Sequence, residues 1–315
     1  MDATAAPSPF LPGTRIQYAW DSTLLGAFKR CPRLYQYTIE GWQPQGENIH
    51  LRFGGELHHA LQDYDISRAA GINHEDALHD VVQELVLRCD DYPEVSKADK
   101  PSVRAKTKDH LISTVIDYLD HYNPDPAETF VMENGKPAVE LSFRFELDHG
   151  PAYDSSQPYL LCGHLDRIVS YCGDLFVMDR KTTTTTPGSY YFDQFHPDNQ
   201  MSLYTLASQV IIKSPVKGVI IDAIQTLIED PPKFVRGITY RTPDQIDEWT
   251  RDLRYHLDAA EYYAISDYWP QNDTACDKYG GCKFREICSK SPAVREKFLV
   301  ANFEKGEPWN PLKPR

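Results

Sequence analysis

Gly163–Lys181 reads GHLDRIVSYCGDLFVMDRK, and the remainder of the chain is best understood outward from it. The pattern gives two short strands, Leu160–Val169 and Leu175–Lys181, on either side of a turn near Cys172-Gly173. If they pair as an antiparallel hairpin with an even-numbered loop, Tyr171 faces Asp174 and Asp166 falls directly opposite Asp179. Side chains alternate faces along a strand, so Lys181 shares the face of Asp179. Like charges set directly opposite each other destabilise a sheet. Two facing carboxylates therefore ask for a cation between them, and their hard oxygens suit Mg²⁺ or Mn²⁺. A lysine one step further along can steady a developing negative charge. These are the minimum parts for metal-assisted phosphodiester hydrolysis. Taken alone, the same residues also make an ordinary solvated hairpin.

The chain has 315 residues, enough to bury a full core as one large domain or one domain with an insertion. No run of apolar residues is long enough to cross a membrane. The start, MDATAAPSPFLPG, lacks the basic and apolar regions of a signal peptide, so a cytoplasmic protein is expected. Seven cysteines (Cys31, Cys89, Cys162, Cys172, Cys276, Cys282 and Cys288) in such a protein point to metal or cluster ligation rather than disulfides. A net charge of −13 argues against a protein that coats nucleic acid nonspecifically. It is compatible with an acidic metal site beside a local basic track. Lys29, Arg30 and Arg33 offer one such track, and Lys283, Arg285, Lys290, Arg295 and Lys297 another. The run Lys97, Lys100, Arg104, Lys106 and Lys108 reads as a solvated face.

Along the chain, residues 1–15 read as a flexible tail. Asp21 or Ser22 caps a helix, STLLGAFKR, which ends at Cys31-Pro32. Gly54-Gly55 precedes a helix carrying His58, and His59 would point about 100° away from it. Residues 75–122 read as helical, with Cys89 in the core and a second helix from about Ser102 to Tyr122. Val139, Leu141, Phe143 and Phe145 alternate in a strand, with Glu140 on its other face. After the hairpin, a helix in DNQMSLYTLASQVI puts Gln200 and Tyr204 on one face. Two further strands precede Thr242-Pro243-Asp244-Gln245, a capping box opening an amphipathic helix. Cys276, Cys282 and Cys288 then recur at six-residue spacing, one ligand short of a four-thiolate site. Cys31 can complete it, for either an iron–sulfur cluster or zinc.

In this order, Cys31-Pro32, the Gly54-to-His58 helix, Glu140, Asp166, Asp179-x-Lys181, Gln200-x3-Tyr204 and the three late cysteines resemble the PD-(D/E)XK nuclease superfamily. The likeness spans about residues 22–290 and is closest to the RecB-like branch that carries an iron–sulfur cluster, of the AddB and CRISPR-adaptation exonuclease type. One departure is that Leu25 stands a place off the family pattern near Cys31. The resemblance implies an α/β, restriction-endonuclease-like core: a central mixed sheet flanked by helices, with a helical insertion at about residues 66–130. The nuclease domain would span residues 16–270. A cysteine region at 271–300 would close onto Cys31, with a tail at 301–315.

The resemblance also implies roles. Asp166, Asp179 and His58 would hold Mg²⁺ or Mn²⁺, with the carbonyl of Arg180 a further candidate ligand. Lys181 would act beside Asp166 and Asp179 in catalysis, Gln200 and Tyr204 would contact DNA, and Glu140 would be accessory. Cys31, Cys276, Cys282 and Cys288 would hold a 4Fe–4S cluster in preference to zinc, bringing the basic segments 29–33 and 283–297 together. The function implied is a metal-dependent DNA nuclease, of exonuclease type, acting on single strands or ends. The alternative is a non-catalytic DNA-end-binding subunit of a larger helicase–nuclease or repair complex. No Walker A sequence is present, so any helicase would be a separate partner.

Overall fold

The computed structural model describes residues 6–96, 98–227, 230–277 and 281–313. The chain begins with β1 (Ala19–Trp20), α1 (Ser22–Arg30), α2 (Pro32–Ile39) and β2 (Trp42–Pro44). Four helices follow, α3 (Ile49–Ala69), α4 (His74–Arg88), α5 (Pro101–Arg104) and α6 (Lys108–His121). Next come β3 (Glu128–Thr129), β4 (Val139–Glu146), β5 (Leu160–Tyr171) and β6 (Asp174–Thr183). Then α7 (Ser189–Asp193) and α8 (Asn199–Ile211) lead to β7 (Val216–Gln225) and β8 (Lys233–Thr239). The chain closes with α9 (Pro243–Ser266), α10 (Arg285–Cys288), α11 (Pro292–Asn302) and β9 (Phe303–Lys305).

Seven strands make one mixed sheet in the order β1-β5-β6-β7-β8, with β3 and β4 also pairing with β5. β1 is parallel to β5 and β6 to β7, whereas β5–β6 and β7–β8 are antiparallel. This is the mixed α/β sheet that the resemblance implies. The central hairpin pairs Tyr171 with Asp174 and keeps that register to Arg167 and Met178. Cys172 (φ 53°) and Gly173 (φ 86°) are both left-handed, as in the two-residue type I′ turn whose twist matches its strands. Both strands are longer than the pattern indicates and run right up to the turn.

The chain divides into two compact units, and the division passes through β4 and β5. One unit comprises Glu47–Leu141 and His164–Arg241. Its core gathers Phe53, Leu57, Ala60 and Leu61 of α3 with Val81 and Leu85 of α4, Leu111, Val115 and Tyr118 of α6, and Ile224 of β7. Cys89 is buried in the same cluster, as expected. Gly54-Gly55 does not precede α3 but lies inside it. Asn48 accepts hydrogen bonds from the amides of His50 and Leu51 and starts the helix earlier. A glycine in a helix interior costs about 1 kcal/mol against alanine, and burying one leucine or phenylalanine contributes about 1.5–3 kcal/mol. The apolar face therefore outweighs the two glycines. The helix expected from Ser102 to Tyr122 is two helices, because Thr107 accepts from His110 N–H and caps α6 afresh. β4 keeps the expected alternation from Leu141 to Glu146, with Phe143 buried between exposed Ser142 and Arg144, while Glu140 at its start has φ 47°.

The other unit comprises Met1–Gly46, Ser142–Gly163 and Thr242–Arg315. Asp21 caps α1, and the Thr242–Gln245 capping box opens α9 with Pro243 in the first turn, both as expected. Gly163 is needed here, since a Cβ on it would lie 2.6 Å from the Phe143 ring. Tyr37, Phe284, Ile287, Leu299 and Phe303 form a separate cluster, beside which β2 and β9 pair antiparallel.

Candidate active site

The β5–β6 ladder stops at Arg167 and Met178, and the next stretch of β6 backbone is met by side chains. Arg180 N–H donates to Asp166 Oδ2 at 3.1 Å. The carbonyl of Arg180 lies 2.9 Å from His58 Nε2. A carbonyl only accepts, so Nε2 carries the proton and a neutral ring keeps its lone pair on Nδ1. That atom faces Asp166 Oδ2 at 3.4 Å, acceptor against acceptor. Desolvation lowers the His58 pKa, with Asp166 opposing, which favours the neutral ring. His59 is exposed.

Asp179 is 1% exposed. Burial pushes its pKa up, Lys181 pulls it down and Asp166 raises it again, leaving it at about 7. Lys181 Nζ stands 2.8 Å from Asp179 Oδ2 and 3.1 Å from Oδ1. Burial works against its charge, but Asp179 and Asp166 carry its pKa above the ordinary lysine value. The same Nζ donates to Gln200 Oε1 at 2.7 Å, and Gln200 Nε2 donates to Tyr204 OH at 2.9 Å. Tyr204 is buried, so the pair expected to face substrate is a relay in which Tyr204 backs Gln200 and Gln200 backs Lys181.

Two more residues shape the site that the motifs did not indicate. Asp198, the N-cap of α8, accepts from Met201 N–H at 2.9 Å and adds negative potential at Asp179 and Lys181. Tyr191 of α7 is buried, with a hydroxyl pKa pushed up to about 12, chiefly by burial, and it bonds Thr183. The signal for Asp198 was available, because Asp-Asn-Gln opening a helix places an N-cap two residues before Gln200. Glu140 is half-buried, with a left-handed backbone at φ 47°.

Among the described residues, no three His, Cys, Asp or Glu side chains are gathered closely enough to hold a metal ion as they stand. The donor chemistry nevertheless fits a hard divalent cation. His58 Nδ1 and Asp166 Oδ2 face each other at 3.4 Å where the ladder stops, and their facing lone pairs call for positive charge. Buried Asp179 Oδ2 takes no well-formed hydrogen bond even with Lys181 nearby. The Arg180 carbonyl, expected as a further ligand, is instead occupied by His58 Nε2–H.

In the other unit, Cys31, Cys276, Cys282 and Cys288 all line one cavity of about 50 Å³. All four are free thiols. Asn272 N–H donates to Cys31 Sγ at 3.4 Å and Asn272 Nδ2 to the Arg30 carbonyl at 2.9 Å, which joins the Cys-Pro turn to the late cysteine segment. Cys162 is buried in β5 and Cys172 is exposed at the hairpin turn; neither lines this cavity.

The basic segments are partly structural. Arg30 donates to the Ala275 carbonyl, Arg33 to that of Trp269 and Arg295 to those of Cys288 and Lys290, while Arg285 pairs with Asp277. Lys29, Lys283, Lys290 and Lys297 remain exposed. In the middle run Lys106 is not on a solvated face but buried. Lys97 lies outside the described residues, as do 278–280 of the cysteine region and 1–5 and 314–315 of the expected tails.

The sequence matches the profile of the PD-(D/E)XK nuclease superfamily over residues 22–289, most of its length. The chain belongs to this superfamily. No curated protein matches it. Among solved structures it is similar to a presumed exonuclease from Eubacterium rectale, with 10% identity and a TM-score of 0.49, covering 82% of this chain and 86% of that one. A second, named SSO0001, has 13% identity and a TM-score of 0.27, covering 66% of this chain and 86% of that one. Neither overlay is close enough to carry an argument, so the assignment rests on the superfamily profile. A PD-(D/E)XK core accounts for the mixed sheet flanked by helices. Among the described residues, no helix is long and apolar enough to cross a membrane.

Proposed function

We propose that this PD-(D/E)XK protein is a Mg²⁺- or Mn²⁺-dependent deoxyribonuclease of the RecB-like branch, acting on single strands or DNA ends in the cytoplasm. The observation carrying this reading is the meeting of His58, Asp166, Asp179, Lys181 and Gln200 at the end of the β5–β6 ladder. In this reading Asp166 and Asp179-Arg180-Lys181 supply the residues that give the superfamily its name. His58, Asp166 and Asp179 would hold the ion. When bound, it lowers the pKa of water and neutralises charge on the phosphate.

The chain's own residues do the rest. Lys181, fixed between Asp179 and Gln200, presents its ammonium to the charge that grows on the phosphorus oxygens. Water oxygen bonds to phosphorus, the P–O bond to the leaving sugar breaks, and the proton ends on the leaving oxygen. Gln200, backed by Tyr204, orients Lys181 and borders the strand being cut. Glu140 is an accessory residue at the edge of β4. The exposed Lys29, Lys283, Lys290 and Lys297 are candidate phosphate contacts of the other unit, and a helicase or other repair subunit would supply any unwinding.

Cys31, Cys276, Cys282 and Cys288 hold a 4Fe–4S cluster in this proposal. The four thiols line one cavity, and zinc held by the same four thiolates is the alternative occupant.

The test is Mn²⁺-dependent degradation of linear and circular single-stranded DNA by wild type and Lys181→Ala. Loss of the linear substrate alone, slowed about 10²–10³-fold in the variant, is expected of an end-dependent nuclease using this site. Loss of both substrates would indicate an endonuclease. Degradation of neither would overturn the catalytic reading in favour of a DNA-end-binding subunit. Undiminished activity in well-folded Asp179→Ala would remove that residue from the mechanism.

A further inference from the structure

Each aspartate of the candidate site is followed by an arginine, Arg167 after Asp166 and Arg180 after Asp179. Alternation sends their side chains to the opposite face of the hairpin, where both are buried. Both end on one carboxylate. Asp65 Oδ1 lies 3.2 Å from Arg167 Nη1, and Asp65 Oδ2 lies 2.7 Å from Arg180 Nη1. Asp65 is also buried, and it sits on α3 seven residues, or about two turns, beyond His58. A single carboxylate thus ties together the three elements that carry His58, Asp166 and Asp179.

The wider network is balanced. Arg236 pairs with Asp125 at 2.6 Å and Asp222 at 3.1 Å, and Arg167 also reaches Asp125 at 3.5 Å, so three guanidiniums meet three carboxylates. Arg167 further donates to the Ala127 carbonyl and Thr129 Oγ1. A cavity of about 380 Å³ borders Asp65, Arg167 and Arg180. Close packing does not hold these guanidiniums on every side, so their ion pairs fix them. A buried ion pair is often no more stabilising than apolar side chains of the same volume, so fold stability alone does not account for it.

We infer that Asp65 is a positioning residue for the candidate metal site, setting the distance between α3 and the two strands through the backbones of Arg167 and Arg180. Arg180 is the point of transmission. Its side chain is held by Asp65, its N–H by Asp166 and its carbonyl by His58, so any slip of α3 moves both contacts. The inference rests on the metal-site reading above.

The test compares wild type with the charge-balanced double variant Asp65→Leu/Arg180→Met and with the isosteric Asp65→Asn. Two quantities are read: thermal unfolding in chelator, and Mn²⁺ affinity by calorimetry without DNA. The double variant is expected to melt near wild type yet bind Mn²⁺ about 10–100-fold more weakly, the effect of losing a group that orients ligands. Asp65→Asn, which leaves one guanidinium in excess, is expected to lose both melting temperature and affinity. If either folded variant binds Mn²⁺ within twofold of wild type, Asp65 only balances charge and the inference fails while the metal site stands. If wild type binds no divalent ion, the site reading and the inference fall together.

Discussion

Lys106 is 4% exposed, its Nζ 2.6 Å from Thr226 Oγ1 and 4.0 Å from the centre of the Phe53 ring. It makes no ion pair among the described residues, and burial pushes its pKa down from 10.5 to about 8. Between those values the unfolded chain binds the proton that the folded chain has released, so stability rises with pH across that window. Below it both states are protonated and the full penalty stands, roughly 3 kcal/mol at most. Lys106→Met is therefore expected to be about 1–2 kcal/mol more stable than wild type at pH 7, after losing the hydrogen bond and ring contact. The advantage should shrink towards pH 10. Denaturant unfolding at both pH values checks this, and a gap independent of pH would refute it. The run from Lys97 to Lys108 hid this residue, because a count of charges cannot see that the break before α6 turns one lysine inward. Asp166, Asp179 and Lys181 were legible because a two-residue turn and strict alternation leave one register. Tyr204 was legible as to face but not as to depth. Removing its hydroxyl leaves Gln200 Nε2 without that acceptor, so Tyr204→Phe should slow cleavage about 3–10-fold, near the value of one hydrogen bond, with the melting temperature little changed. Single-turnover rates on linear DNA would decide it.

Among elements, the hairpin shows what a short turn contributes. Cys172 occupies a left-handed position that asparagine tolerates and cysteine does not favour, followed by Gly173 at φ 86°. Cys172→Asn should stabilise the hairpin by about 0.5–1 kcal/mol without touching the site. Gly173→Ala should cost at least as much. Thermal melts of the two variants, moving in opposite directions, test the turn assignment; equal shifts would defeat it. This turn could be read from sequence because Cys-Gly stands between two apolar-rich runs of strand length. The Thr242–Gln245 box was legible for the same local reason, since its whole signal lies within four residues. The start of α3 was not. Gly54-Gly55 reads as a boundary, but the long apolar face from Phe53 to Leu61 is satisfied only by packing against α4 and α6, which local propensity does not contain. The left-handed φ of Glu140 was equally invisible to a period-two pattern.

Across the whole molecule, the chain's two ends meet in one unit. β2 pairs with β9, and the Cys31 turn is hydrogen-bonded to the segment around Asn272. Strands of three residues carry no readable periodicity, so the β2–β9 pairing escaped the sequence. The cysteines did not, because a Cys-Pro near the start and three late cysteines at equal spacing are legible however far apart they fall. A cross-link between Cys31 and Cys276 closes about 245 residues. In the chain-entropy treatment, a loop of that size contributes about 5 kcal/mol by restricting the unfolded chain. If a 4Fe–4S cluster makes the link, anaerobically purified protein should hold four iron and four sulfide per chain, and Cys282→Ser should lose them together with much of that stability. The candidate metal-site residues belong to the other unit, so on the proposed reading folded Cys282→Ser protein should still bind Mn²⁺ with near-native affinity. Iron and sulfide analysis, a melt in chelator and a Mn²⁺ titration separate the possibilities. One zinc per chain in place of iron would replace the cluster but keep the staple. Unchanged stability after loss of the metal would mean that β2–β9 and the aromatic cluster around Phe284 hold the ends without it.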